Sequence, residues 1–141
     1  MALAYDSATQ FVAVALKRSR IDGYGVFAAE DIPAGTRLGL LTGESITVAE
    51  ARRRAQESRR LMLVELSPAR AIDASRSQDA MRFTNHSCRP NARTQVEDGE
   101  VSFSATEDLR RGDEITVDYG LTHHEGRLPC RCGASGCRGS L

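Results

Sequence analysis

Four cysteines are the residues of this chain best suited to act together chemically. Cys130, Cys132 and Cys137 crowd into CRCGASGC, while Cys88 stands far upstream in NHSC. Four thiolates that converge make one tetrahedral zinc site, and zinc favours sulfur ligands in closed structural centres. The count leaves no cysteine over. The same even number allows two disulfides, but a bridge between Cys130 and Cys132 would be strained, and nothing in the chain reads as secretory. Separate buried thiols are a third reading. The C-x-C step is tighter than the C-x-x-C of ordinary zinc knuckles, which speaks against a generic nucleic-acid-binding finger. If the cysteines converge, the C-terminal stretch folds back over the NHSC loop and partly roofs whatever binds beside it.

Other residues of chemical interest lie in three short motifs. Gly23 and Gly25 flank Tyr24; glycines here let the backbone approach a ligand closely and adopt conformations closed to other residues, although a plain hairpin turn needs them too. Asn85 offers one acceptor and two donors, and His86 can donate through backbone and ring. A single histidine is more often a satisfied structural residue. Tyr119, at the end of an apolar run, is either a packing residue or a reactive hydroxyl, and His123 and His124 read as loop residues of the connection that follows.

Taken in order, GYGVFA at 23–28, AMRFTNHSCRPN at 80–91, LRRGDEITVDYG at 109–120 and the C-x-C-x4-C tail resemble the SET-domain protein-lysine methyltransferases that carry a post-SET zinc module. The likeness runs over nearly the whole chain. It implies a mainly β fold, the SET or β-clip arrangement of small sheets with a knot-like C-terminal crossing, divided into a SET domain at 1–120 and a zinc-binding tail at 121–141. The implied cofactor is S-adenosylmethionine, contacted by Gly23, Tyr24, Gly25, Arg82, Asn85, His86 and Tyr119, with Tyr119 as the catalytic residue. Phe83 reads as core. Met62, Val117 and Tyr119 would line the substrate channel, and Cys88, Cys130, Cys132 and Cys137 would bind a structural zinc. The substrate would be a lysine of a histone or another basic protein.

Lysine has a pKa of about 10.4 and enters as an ammonium, so such a site must favour the neutral amine. An apolar channel does so by desolvation, a sulfonium by repulsion, and the channel also aligns the nitrogen for direct displacement. Three positions depart from the family pattern. Met62 stands where many members have a tyrosine, Val117 where phenylalanine or tyrosine is usual, and Gln78-Asp79 replace Gly-Asn. The small Val117 suggests room for a methylated amine, hence di- or trimethylation. A catalytically degenerate SET domain acting as a peptide- or protein-binding module is the alternative reading. A zinc-dependent nucleic-acid binder is a third, disfavoured by the absence of basic and aromatic residues in alternation.

The elements that must position these residues are short. With 141 residues the chain suits one domain. Nineteen basic side chains balance 19 acidic ones, so no global charge draws it to nucleic acid or an anionic membrane. Its apolar run at 11–16 is far below the roughly 20 residues of a membrane helix, which leads to the expectation of a soluble intracellular protein without a cleaved signal. Strands are expected over 10–18, from Val26, over 38–41, 61–66, 101–105 and 114–118, with a helix at 48–60 capped by Thr47 and Glu50. The arginines at 52, 53, 54, 59 and 60 read as a solvated helix face, or else as a contact for an acidic partner. An extended peptide would add beside the final strands, where a homodimer could complete the groove.

Overall fold

A computed structural model of the chain describes residues 4–58, 62–118, 130 and 132–139. Among these residues the strands are β1 (Val14–Arg18), β2 (Tyr24–Ala28), β3 (Arg37–Leu41), β4 (Glu44–Thr47), β5 (Leu63–Glu65), β6 (Arg70–Asp73), β7 (Asn85–His86), β8 (Ala92–Glu97), β9 (Glu100–Ala105) and β10 (Glu114–Val117). One α-helix, α1 (Val48–Glu57), and two single 3-10 turns, Ser7–Thr9 and Ala80–Phe83, complete the set. The expectation of short strands with one or two short helices is met.

Three small sheets follow from the patterning. In β1 the alternation of VALKR turns Val14 and Leu16 inward and leaves Lys17 and Arg18 in solvent. Its antiparallel partner β2 sets Val26 against Leu16. The four-stranded sheet runs β1-β2-β10-β7, the second β3-β9-β8 and the third β4-β6-β5. Side chains from the first two sheets and from the Ala80–Phe83 turn share one core, in which Leu16, Val26, Leu38, Leu41, Met81 and Ile115 are almost wholly removed from water. Burying a side chain of this size contributes about 1.5–3 kcal/mol.

The helix begins where expected: the Thr47 hydroxyl accepts from the Glu50 N–H at 3.1 Å. It ends earlier, at Glu57, with Ser58 extended, while Arg59 and Arg60 lie outside the described residues. Only Val48, Ala51 and Ala55 are buried along it, too few apolar side chains to hold a longer helix to the sheet. Its arginines are paired within the chain: Arg52 with Glu65, Arg53 with Glu50 and Glu57, and Arg54 with Glu44 and Asp73. That favours the solvated face over a contact for an acidic partner. Among the described residues no helix is long and apolar enough to cross a membrane.

Candidate functional site

The last described strand brings the motifs together. β10 is flanked by β2, antiparallel, with Ile115 opposite Val26, and by β7, parallel, with Thr116 opposite Asn85 and Val117 opposite His86. The Ser87 N–H extends that pairing by donating to the Val117 carbonyl at 2.9 Å. The GYG loop, the NHSC segment and the strand that carries Val117, distant in sequence, thus lie side by side. Asp118 is the last described residue here. Tyr119, the expected catalytic residue, and His123 and His124 lie outside the described residues.

Asn85 ties the loop to the strand. The residue is 8% exposed, and Nδ2 donates to the carbonyls of Asp22 at 3.0 Å and Tyr24 at 3.2 Å and to Glu114 Oε2 at 2.9 Å. An amide nitrogen carries two hydrogens, so all its donor capacity is spent inside the chain. What Asn85 can still offer a ligand is Oδ1. Gly23 has φ 45°, a conformation that favours glycine, with open space where a Cβ would point. Gly25 differs from expectation: its φ is not in the left-handed region, and the space a Cβ would fill is taken by the carboxylate of Glu114. Glu114 and Ser19 were not legible as site residues, because a glutamate between Asp113 and Ile115 reads as an ordinary solvent-facing strand position.

His86 faces the cysteine tail. The residue is 2% exposed, with Nε2 at 3.3 Å from Cys88 Sγ and 3.2 Å from Arg138 Nη2, and Nδ1 at 3.6 Å from Asp118 Oδ1. A guanidinium only donates, so toward Arg138 Nε2 accepts and the ring proton sits on Nδ1, whereas toward a Cys88 thiolate Nε2 donates. Burial holds the imidazole below its ordinary pKa; Asp118 opposes this and Arg138 reinforces it. Arg138 also donates to Asp118 at 3.0 Å. Arg138 and Asp118 are further residues that spacing alone did not single out.

The sulfurs of Cys88, Cys130, Cys132 and Cys137 all lie within 4.8 Å of one another. Cys88 Sγ stands 4.0 Å from Cys130 Sγ and 3.9 Å from Cys137 Sγ. A disulfide needs about 2.05 Å, whereas four sulfurs each about 2.3 Å from a tetrahedral ion are spaced as these are. Backbone N–H groups point at the sulfurs: Arg138 at Cys88 at 3.3 Å, Ala134 at Cys132 at 3.5 Å and Gly139 at Cys137 at 3.4 Å. The backbone N–H of Cys88, seconded by that of Ala134, pulls the Cys132 thiol down to about 6, while burial pushes Cys130 up. Such N–H donors stabilise thiolates, the form a zinc ligand must take. The donor set fits the metal, and the disulfide reading fails on distance.

Arg82 and Met62 meet at Ser75. Arg82 Nη1 donates to the Ser75 carbonyl, and the Met62 N–H donates to Ser75 Oγ at 2.9 Å. The Arg82 guanidinium also lies 4.4 Å from the Phe83 ring centre. Both Arg82 and Phe83 line an open cavity shared with Ala4, Ser77 and Gln78. Met62 and Phe83 are partly buried against the main core, and Val117, 4% exposed, belongs to that core itself.

Comparison with known proteins agrees with this arrangement. Residues 23–120 match the family described as SET domain. The chain belongs to the SET-domain family. It is 36% identical over 135 residues to the histone-lysine N-methyltransferase trr of Drosophila melanogaster, covering 89% of this chain and 6% of that protein. It is 37% identical over 134 residues to the histone-lysine N-methyltransferase set-2 of Caenorhabditis elegans, covering 88% of this chain and 9% of the relative. For the histone-lysine N-methyltransferase ASHH1 of Arabidopsis thaliana the identity is 34%, over 84% of this chain and 26% of the relative. The chain therefore spans only a small part of the length of these relatives.

Within the SET domain the matched span holds the GYG loop, Arg82, Asn85, His86, Cys88 and Tyr119, while Cys130, Cys132 and Cys137 follow it. The mainly β architecture and the placing of the last strand beside NHSC are those expected of the family.

Proposed function

We propose that this chain is an S-adenosylmethionine-dependent protein-lysine N-methyltransferase domain whose substrate is a lysine of a histone or another basic protein. The observation that carries the reading is the seating of β10 between β2 and β7, which gathers the GYG loop, Asn85 and His86 at the strand end that leads into Tyr119. The similarity to proteins named histone-lysine N-methyltransferases supports the same activity.

The donor set is compatible with the cofactor: Gly23 leaves open space beside the backbone, and Asn85 Oδ1 accepts no bond from the described residues. Gly23, Tyr24, Gly25, Arg82, Asn85, His86 and Tyr119 would hold S-adenosylmethionine. When bound, it supplies an electrophilic methyl group on a sulfonium. The chain's own residues do the rest. Met62 and Val117 give the lysine channel apolar walls, which disfavour the ammonium by desolvation, so that the amine sheds its proton to water as it enters. The Tyr119 hydroxyl orients the neutral nitrogen, and the value of that orientation is entropic as well as electrostatic. Val117, smaller than an aromatic residue, leaves room for an amine that already bears methyl groups, so di- or trimethyl-lysine is the product. Cys88, Cys130, Cys132 and Cys137 would hold one structural zinc, with 121–141 as the tail that closes over NHSC. A histone substrate places this activity inside the cell.

The test is mass spectrometry of a panel of basic proteins, histones included, after incubation with S-adenosylmethionine. Methyl groups on lysine Nζ, matched by an equal amount of S-adenosylhomocysteine, support the reading. Cofactor bound with no lysine methylated in any panel protein overturns it in favour of a binding module.

A further inference from the structure

Gly25 lies inside β2, and its backbone makes no demand that only glycine can meet. What it provides is space. A Cβ at this position would stand 2.3 Å from Glu114 Oε2, 2.9 Å from Glu114 Cδ and 3.1 Å from Ser19 Cβ. Glu114 opens β10 directly opposite Phe27, so its backbone is held by the ladder and cannot retreat. The carboxylate fills the notch that the missing side chain leaves.

From that seat one carboxylate governs the whole turn between β1 and β2. Oε2 accepts from Asn85 Nδ2 at 2.9 Å, and both oxygens lie 2.8 Å from the Ser19 hydroxyl. Ser19 Oγ in turn accepts from the Ile21 N–H at 2.9 Å, and Asn85 holds the carbonyls of Asp22 and Tyr24. Three backbone groups of the loop are therefore gripped by two side chains, and both side chains are aimed by Glu114. Hydrogen bonds to a charged acceptor are stronger and shorter than neutral ones, which makes the carboxylate the fixed point of the cluster.

We propose that Gly25 is the seat of the Glu114 carboxylate, and that Glu114, acting through Asn85 and Ser19, is the positioning residue of the 19–25 loop on which cofactor binding depends. The last clause rests on the reading of that loop as cofactor-binding; the seat does not.

A double-mutant cycle separates the two. The parent, Gly25→Ala, Glu114→Ala and the double variant are compared for S-adenosylmethionine affinity by calorimetry and, without cofactor, for hydrogen-exchange protection of the 19–25 amides. Each single change is expected to weaken affinity by about tenfold and to lower protection, while adding Gly25→Ala to Glu114→Ala costs less than about twofold more, because the clash has gone. Glu114→Gln, which keeps the shape and one acceptor oxygen, recovers most of the protection. Should Glu114→Ala not fold, Glu114→Asp, shorter by one carbon, takes its place. Multiplicative effects in both readouts, or unchanged loop protection in Glu114→Ala, overturn the proposal. A parent that binds no cofactor sinks the functional reading instead, and the exchange arm still decides the seat.

Discussion

Arg138 Nη2 donates to Asp118 Oδ1 at 3.0 Å, so the cysteine-bearing tail is pinned to the residue immediately before Tyr119. The same guanidinium nitrogen touches His86 Nε2 at 3.2 Å. Tail, NHSC segment and strand end thus share one polar junction.

Arg138→Ala is expected to separate activity from stability. Both partners of the pair are nearly half exposed, and exposed ion pairs contribute little to folding. The melting temperature should stay close to that of the parent while methyl transfer falls by about tenfold to a hundredfold, as displaced catalytic groups do. Thermal denaturation beside initial rates checks this; an equal loss in both would assign Arg138 a purely structural part.

Metal analysis of purified protein should return about one zinc per chain, bound by the four sulfurs. A chelator, or Cys132→Ser, should remove it and abolish transfer while the far-ultraviolet circular dichroism stays largely unchanged, because the main core contains none of the four cysteines. Collapse of the β signal on chelation would mean that the metal holds the whole fold.

Asp79 makes acid stability testable. It is buried and accepts from Thr9 Oγ1 at 2.6 Å, the Thr42 N–H at 2.6 Å and Thr42 Oγ1 at 2.8 Å. Burial alone would raise its pKa, but bonds from Thr9, Ser77 and Thr42 outweigh that and hold it below the ordinary value. A carboxyl lowered on folding adds stability that is present above its unfolded pKa of about 3.9 and is lost as pH falls through the folded value. Asp79→Asn should cost about 1–3 kcal/mol near neutrality, since its NH2 would face donors. Below about pH 4 the gap to the parent should narrow in urea unfolding curves; a gap independent of pH would refute the assignment.

Gly43→Ala is expected to destabilise by about 1–3 kcal/mol through overpacking. A Cβ there would meet the Asp73 carbonyl oxygen at 2.5 Å, a backbone atom with no room to yield. Gly35, which has φ 85° but open space around it, should instead suffer only from backbone strain, and chemical denaturation of the two alanine variants compares the mechanisms.

The strands legible in the sequence were those with apolar alternation strong enough to reach the core, such as β1 with Val14 and Leu16 and β10 with Ile115 and Val117. β8 was missed because only Ala92 of its six residues is buried; the signal that could have found it is Asp98-Gly99, both at positive φ in the turn to β9. β4 and β6 are four residues each and bury one or two side chains, too little for a periodicity to register. At the site, the motifs named Asn85, His86 and the cysteines. The direction of each side chain was set by partners far along the chain: Asn85 by Asp22, Tyr24 and Glu114, and His86 by Arg138 and Asp118. No local pattern encodes such pairings.

The most direct measurement is transfer of labelled methyl from S-adenosylmethionine to histones by the parent and Tyr119→Phe, with cofactor affinity measured for both. The account predicts label on lysine, reduced by about a hundredfold or more in Tyr119→Phe, a far larger loss than any in cofactor affinity. A parent that binds cofactor but labels no protein, or a Tyr119→Phe variant as active as the parent, would contradict it.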